Sequence, residues 1–149
     1  MVDFPTAREK MCEHFETHWQ ANAAGLIEYT PEIRFPRVVY KDAINPALHW
    51  GRMSLQTVMS NQAAFCGYEN GKKKYEESGI VIIQLFAPKD RVEAAEEQDK
   101  FAQIARAAFR GRNAPGKVWF RRARINDIPD EKEMLRLNVV AEYEYNEIA

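Results

Sequence analysis

Two spacing rules take turns along this chain. Ala7, Met11, Phe15, His18, Trp19 and Ala23 recur every three or four residues, which places them on one stripe of an α-helix. Thr6-Ala7-Arg8-Glu9 has capping-box form, Thr6 accepting from a backbone N–H and Glu9 reaching back, and Gly25 closes the element. From Trp50 the period drops to two. Met53, Leu55, Thr57 and Met59 alternate with Arg52, Ser54, Gln56 and Ser60, the pattern of a strand buried on one side. Gly67 to Gly71 supplies turn chemistry, with Asn70-Gly71 as a hairpin signal. Ile80-Val81-Ile82-Ile83-Gln84-Leu85-Phe86 is apolar on both faces and β-branched, which predicts a central strand.

Pro88-Lys89-Asp90 ends that strand, and Asp90 and Glu93 stand as caps for a second helix. Its apolar face runs through Ala94, Phe101, Ile104, Ala105 and Ala108, and Gly111 stops it. Glu93, Glu96 and Glu97 crowd its start and Arg106 and Arg110 its end, the order the helix dipole favours. Lys117–Ile125 and Met134–Tyr145 read as an antiparallel pair joined by an Asn126–Asp130 turn. In the second, Leu135, Leu137, Val139, Ala141, Tyr143 and Tyr145 face one way, and Arg136, Asn138, Glu142 and Glu144 the other. Thr30–Leu48 is broken by Pro31, Pro36 and Pro46, which predicts an edge strand or an ordered loop. The expected fold is therefore α+β in the order α-β-β-α-β-β. Two helices pack on one face of a four-stranded, mostly antiparallel sheet, in a single domain over residues 1–149.

Composition narrows the function. A chain of 149 residues buries roughly 70% of its unfolded surface and folds without a disulfide or metal. Its net charge of −1 predicts no general affinity for nucleic acid or membrane. Met1–Trp19 carries Glu9, Glu13 and Glu16 and lacks the apolar region of a signal peptide, and no apolar run approaches ~18 residues. Cys12 and Cys66 read as inert thiols suited to a reducing cytosol.

Catalytic signatures are weak. His14 and His18 have the i, i+4 spacing of a zinc-chelating pair, but Glu16 is misplaced for a metalloprotease helix and no further ligand follows, so His18 reads as a core residue. Ser54, Ser60 and Ser78 have no motif around them, His49 stands alone, and Gly67 and Gly71 precede no helix that would cradle a phosphate. The expectation is a non-enzyme without cofactor or metal.

Charge asymmetry says more. Arg110–Ile125 holds Arg110, Arg112, Lys117, Arg121, Arg122 and Arg124 and no acid, whereas Asp127–Ala149 holds seven acids against Lys132 and Arg136. Cross-strand charge matching explains this for paired strands. A surface of opposite signs joining identical subunits, or a basic face with Trp119 and Phe120 meeting nucleic acid, are the functional alternatives. Lys72-Lys73-Lys74 reads as a solvated turn or a recognition loop. The candidate subunit or partner interface is thus Lys72, Lys73, Lys74, Arg112, Lys117, Arg121, Arg122, Arg124, Glu142 and Glu144.

The succession of elements has a familiar shape. An amphipathic helix leads to a Pro-broken segment, then to Trp50-Gly51-Arg52-Met53-Ser54-Leu55. A Gly-flanked basic turn runs into Gly79 to Phe86-Ala87-Pro88, an Ala-rich helix and a basic strand follow, and Asn138-Val139-Val140-Ala141-Glu142-Tyr143-Glu144-Tyr145 closes the pattern. Over nearly its whole length the chain resembles the tail-terminator family of long-tailed bacteriophages and their prophage relatives. Arg34–Leu48 departs from the family in being longer and more proline-broken. The resemblance implies a virion structural protein of the tail, assembled in the bacterial host cytoplasm. It implies a ring, typically a hexamer, that ends tube polymerisation and offers the head-joining surface. Its partners would be further copies of itself, the major tail tube protein and a neck or head-completion protein, with DNA passing non-specifically through the ring and no membrane. A head–tail connector or tail-completion protein, and a basic-strand nucleic-acid binder, are the alternatives.

Overall fold

The computed structural model describes residues 2–62, 71–111, 113, 114, 117–131 and 133–148. Its elements in chain order are α1 (Phe4–Asn22), β1 (Glu32–Arg34), β2 (Trp50–Gln62), β3 (Lys74–Pro88), α2 (Ala94–Ala107), β4 (Asn113–Ala114), β5 (Val118–Asp127) and β6 (Met134–Ile148). The α+β class stands. The expected four strands become a six-stranded sheet in the order β1-β2-β3-β6-β5-β4, because two strands too short to show a period flank the four that do. The three residues of β1 run parallel to Trp50–Arg52, while the other neighbours are antiparallel.

The centre of the sheet is the β3–β6 pair. Val81 faces Ala141, Ile83 faces Val139 and Leu85 faces Leu137. Side chains alternate along a strand, so these odd-numbered residues share one face, and all six are buried. They form one hydrophobic cluster with Ala7, Met11, Phe15 and Trp19 of α1 and Phe101, Ala102 and Ala105 of α2. Aromatic rings dominate it: Phe15 stacks on Phe109 with centroids 5.7 Å apart, Trp19 meets Phe101 at 5.6 Å, and Phe109 meets Phe120 edge-on at 4.9 Å. Trp19 also donates its indole N–H to the Pro31 carbonyl at 3.0 Å, so the buried ring leaves no orphan donor.

Three local expectations give way to stronger physics. The N-cap of α1 is Asp3, whose Oδ1 accepts from the Thr6 N–H at 2.9 Å; Pro5, in the first turn, has no N–H to lose there. The cap of α2 is Glu93, but by its backbone, in the left-handed region at φ 70° and without a side-chain capping bond. Finally, Met59 does not share a face with Met53. Thr57 pairs with Gly79 and Met59 with Ser78, so β2 carries an extra residue and alternation beyond it is inverted. Val58 and Met59 are therefore exposed, and every residue from Gln56 to Gln62 faces water. Most of the predicted Gly67–Gly71 turn lies outside the described residues.

Gly79 is fixed by close approach. A Cβ there would sit 2.1 Å from the Gln56 carbonyl oxygen and 2.5 Å from the Tyr143 hydroxyl. The ring of Tyr143 thus lies across the one position of β3 without a side chain. Gly79→Ala should lower unfolding stability by about 1–3 kcal/mol, the usual range for overpacking. Urea denaturation checks this through a lower midpoint at unchanged slope; an unchanged midpoint would show that the Gln56 backbone and the Tyr143 ring both yield without cost.

Candidate assembly surface

The basic and acidic candidates on β5 and β6 do come together, and the way they meet follows from sequence. Val118, Phe120, Ala123 and Ile125 supply the apolar side of β5, a series that skips a beat between Phe120 and Ala123. Strict alternation would drive Arg122 and Arg124 into phase with Phe120. Instead Arg121 faces Glu142 and Arg124 faces Val140, so β5 advances three residues while β6 advances two. Arg122 absorbs the extra residue at φ 53°. All three arginines then reach solvent.

Once there, two of them find partners within the chain. Arg121 Nη2 lies 3.1 Å from Glu144 Oε2, and Arg122 Nη1 lies 3.3 Å from Glu142 Oε2. Arg124 donates to the Arg122 carbonyl at 3.2 Å. Exposed pairs of this kind contribute roughly 0–1 kcal/mol, so they tidy the charge without holding the sheet together. The other candidates are elsewhere. Lys74 opens β3 opposite Ile148, six positions along β6 from Glu142, which is roughly 20 Å. Lys72 is exposed beside it, and Lys117 precedes β5 at φ 68°. Arg112 lies outside the described residues.

The paired histidines of α1 have another occupation. His18 Nε2 lies 2.9 Å from the Ile104 carbonyl and His14 Nε2 lies 2.6 Å from the Ala108 carbonyl. The Ile104 oxygen belongs to the last turn of α2 and the Ala108 oxygen to its C-cap, where backbone acceptors run out of helical donors. A carbonyl only accepts, so Nε2 of each ring carries the proton. The Asn22 side-chain amide, 3.3 Å from His18 Nδ1, matches that tautomer. The i, i+4 spacing therefore closes the end of a neighbouring helix. Among the described residues no group of three or more potential ligands gathers for a metal. Cys12 is half-buried, and burial pushes its thiol up to about 11, which keeps it protonated at neutral pH.

A second polar cluster escaped sequence reasoning because its members are scattered. Arg91 holds Glu28 with bonds of 2.6 and 2.8 Å and Glu97 with bonds of 2.6 and 3.0 Å. His49 Nε2 stands 3.1 Å from Glu97 Oε1, and the His49 backbone N–H donates to the Tyr29 hydroxyl at 2.9 Å. The cluster ties the loop after α1, the start of β2 and the first turn of α2 together. Gln98 fastens the same end of α2 to the sheet, donating to the Leu85 and Leu135 carbonyls, each at 3.0 Å.

Each half of the sheet has a lateral edge left partly open. β1 covers only Trp50–Arg52 of β2, and β4 covers only Val118 and Trp119 of β5. Among the described residues no strand pairs with the outer side of Met53–Gln62 or of Phe120–Asp127. No described helix is long and apolar enough to cross a membrane.

Comparison with known proteins adds architecture. No family model and no curated protein matches the chain. Seventeen solved chains match it in structure. One of them superposes over 95% of both chains with a TM-score of 0.59 at 11% sequence identity, a likeness of fold alone.

The Arg91 cluster sets a pH dependence. Hydrogen bonds from Arg91 hold Glu28 down to about 2 and lower Glu97 as well. Both contributions are complete above the ordinary carboxylate value of 4.5 and are lost as pH falls through the folded values. For His49, burial outweighs the pull of Glu97 and lowers the ring below 6.5, so the unfolded chain takes up that proton first. All three signs agree. Stability should decline from pH 6.5 downward and fall further between 4.5 and about 2. Arg91→Ala should flatten the lower limb when melting temperature is followed against pH; an unaltered acid limb would remove the cluster as its source.

Proposed function

We propose that this chain is a structural subunit of a phage tail, forming a ring that caps the tail tube, ends its polymerisation and presents the head-joining surface. Both helices lie on the odd-numbered face of the sheet in this reading, leaving the other face and the lateral edges for neighbours. Two lines support it. One is the succession of elements, which resembles the tail-terminator family over nearly the whole chain. The other, which carries the most weight, is the sheet with two open edges at opposite ends, a form suited to head-to-tail contacts that close into a ring.

Its partners on this reading are further copies of itself, typically six in all, the major tail tube protein and a neck or head-completion protein. The task requires binding only, with no cofactor or metal. DNA passes through the ring without sequence reading. The protein acts in the virion tail after assembly in the host cytoplasm. A general nucleic-acid binder is the weaker reading, because Arg121 and Arg122 already have carboxylate partners.

Native mass spectrometry over a concentration series, at low and moderate salt, tests the proposal. A discrete closed oligomer, six copies in the favoured form, is the expected result. A monomer at every concentration, with or without isolated tube ends, would sink it.

A further inference from the structure

The open edges differ in chemistry. From Met53 to Gln62 the edge of β2 reads Met-Ser-Leu-Gln-Thr-Val-Met-Ser-Asn-Gln, ten residues with no charge and no proline. Edge strands are ordinarily guarded by lysine, proline or inward-pointing charge, because a bare row of N–H and C=O groups pairs with whatever strand it meets. Here the guards are missing, and Val58 and Met59 add exposed apolar surface, 64% and 52% accessible. The eight-residue edge of β5, Phe120–Asp127, carries Arg121, Arg122 and Arg124, which oppose pairing with a like-charged edge.

We propose that the unguarded edge of β2 pairs with the β5 edge of a second copy, continuing the sheet from subunit to subunit. Strand direction supports this partner. β2, β3, β6 and β5 alternate in direction, so β5 of one copy and β2 of the next run antiparallel when the copies repeat in the same orientation. Charge selects among the possible pairs. Two β5 edges together would oppose three arginines with three more, whereas an uncharged β2 edge imposes no such repulsion. A β2–β2 pair is free of repulsion too, but it stops at two copies and leaves both β5 edges bare. Only the β2–β5 pair uses both edges of every copy.

This inference names the joint of the proposed ring and rests on that reading. Its test uses the full-length chain with Cys12 and Cys66 replaced by serine. One tagged sample carries Gln56→Cys on β2 and a second, untagged, carries Arg124→Cys on β5; a bifunctional thiol reagent whose spacer spans three residues of strand, roughly 10 Å, is added to each alone and to the mixture after subunit exchange. A tagged–untagged dimer in the mixture, absent from each sample alone, is the expected result. Dimers from Gln56→Cys alone would overturn the proposal in favour of β2–β2 pairing. An oligomer that yields no edge-linked product would overturn the joint while leaving the ring standing, and absence of any oligomer would remove both. Charging the edge with Gln56→Lys and Met59→Lys gives a second reading: loss of the oligomer peak with the circular dichroism spectrum of the fold retained. An oligomer of unchanged mass and stability in that variant would count against the joint.

Discussion

The unbroken ladder between β3 and β6 commits the rest of the molecule. Fifteen residues of each strand pair in succession, from Lys74 opposite Ile148 to Pro88 opposite Met134, without a register break. A slip of one residue in β3 would turn Val81 and Ile83 out of the core and bring Ile82 in, and the same slip in β6 would turn out Val139 and Ala141 and bring Glu142 in. Both helices depend on that register. Val81, Ile83, Val139 and Ala141 join residues of α1 and α2 in one hydrophobic cluster because the odd-numbered residues of two strands lie side by side. One Gln98 amide reaches two carbonyls because the ladder brings Leu85 and Leu135 within its span. Gly79 helps to lock the alignment, since only there can the Tyr143 ring cross β3.

With the centre regular, the irregularities fall on β2 and β5, each free on one side for most of its length. Magnitudes explain why β5 accepts its bulge. Placing Arg122 at a positive φ costs about 1–2 kcal/mol. Keeping strict alternation would aim Arg122 and Arg124 at the core, where an unpaired charge costs several kcal/mol per ion. The bulge is the cheaper arrangement by a wide margin. It also brings the arginines to the face where Glu142 and Glu144 stand, so Arg121 and Arg122 account for their share of the charge asymmetry by cross-strand matching. The extra residue in β2 has a different setting. It falls where the strand leaves the core, so no buried side chain has to be kept in phase.

The long periods were legible in the sequence. α1 and β6 each hold a spacing for many residues against a large buried surface, and their core faces were readable residue by residue; β3 was legible as a central strand, but a run apolar on both faces does not tell which one meets the helices. The short elements were not, because three residues of β1 and two of β4 cannot display a period. The alternation at Met53–Met59 misled for a related reason: apolar spacing tracks burial only where something covers the strand. For α1 the true cap was in plain sight, since Asp3 stands two residues before Pro5, yet the Thr6–Glu9 box has the same form. Among candidate groups, Arg121, Arg122, Arg124, Glu142 and Glu144 were found because they lie on sequential paired strands. Glu28, His49, Arg91 and Glu97 were missed because only the fold unites them. His14 and His18 were weighed for a metal and set aside, His18 as a core residue, which its burial matches, while their distant acceptors at the end of α2 left no trace in the local pattern.

The two short strands that spoiled the count also shape the open edges. β1 covers the Trp50 end of β2, and β4 covers the Val118 end of β5. Traced across the ladder, Met53 stands level with Ile125, and Thr57 with Phe120. Two copies joined at the same level would overlap only over Met53–Thr57 and Phe120–Ile125, because β4 blocks the next step. Clearing β4 while using the full free length of the β5 edge requires a slide of about five residues along the strands at each joint, and a stagger of that kind makes strands tilt when a sheet closes on itself. In such a ring β1 and β4 act as stops that set the slide, and their brevity is a functional dimension: longer strands there would cover the edges that the joint needs.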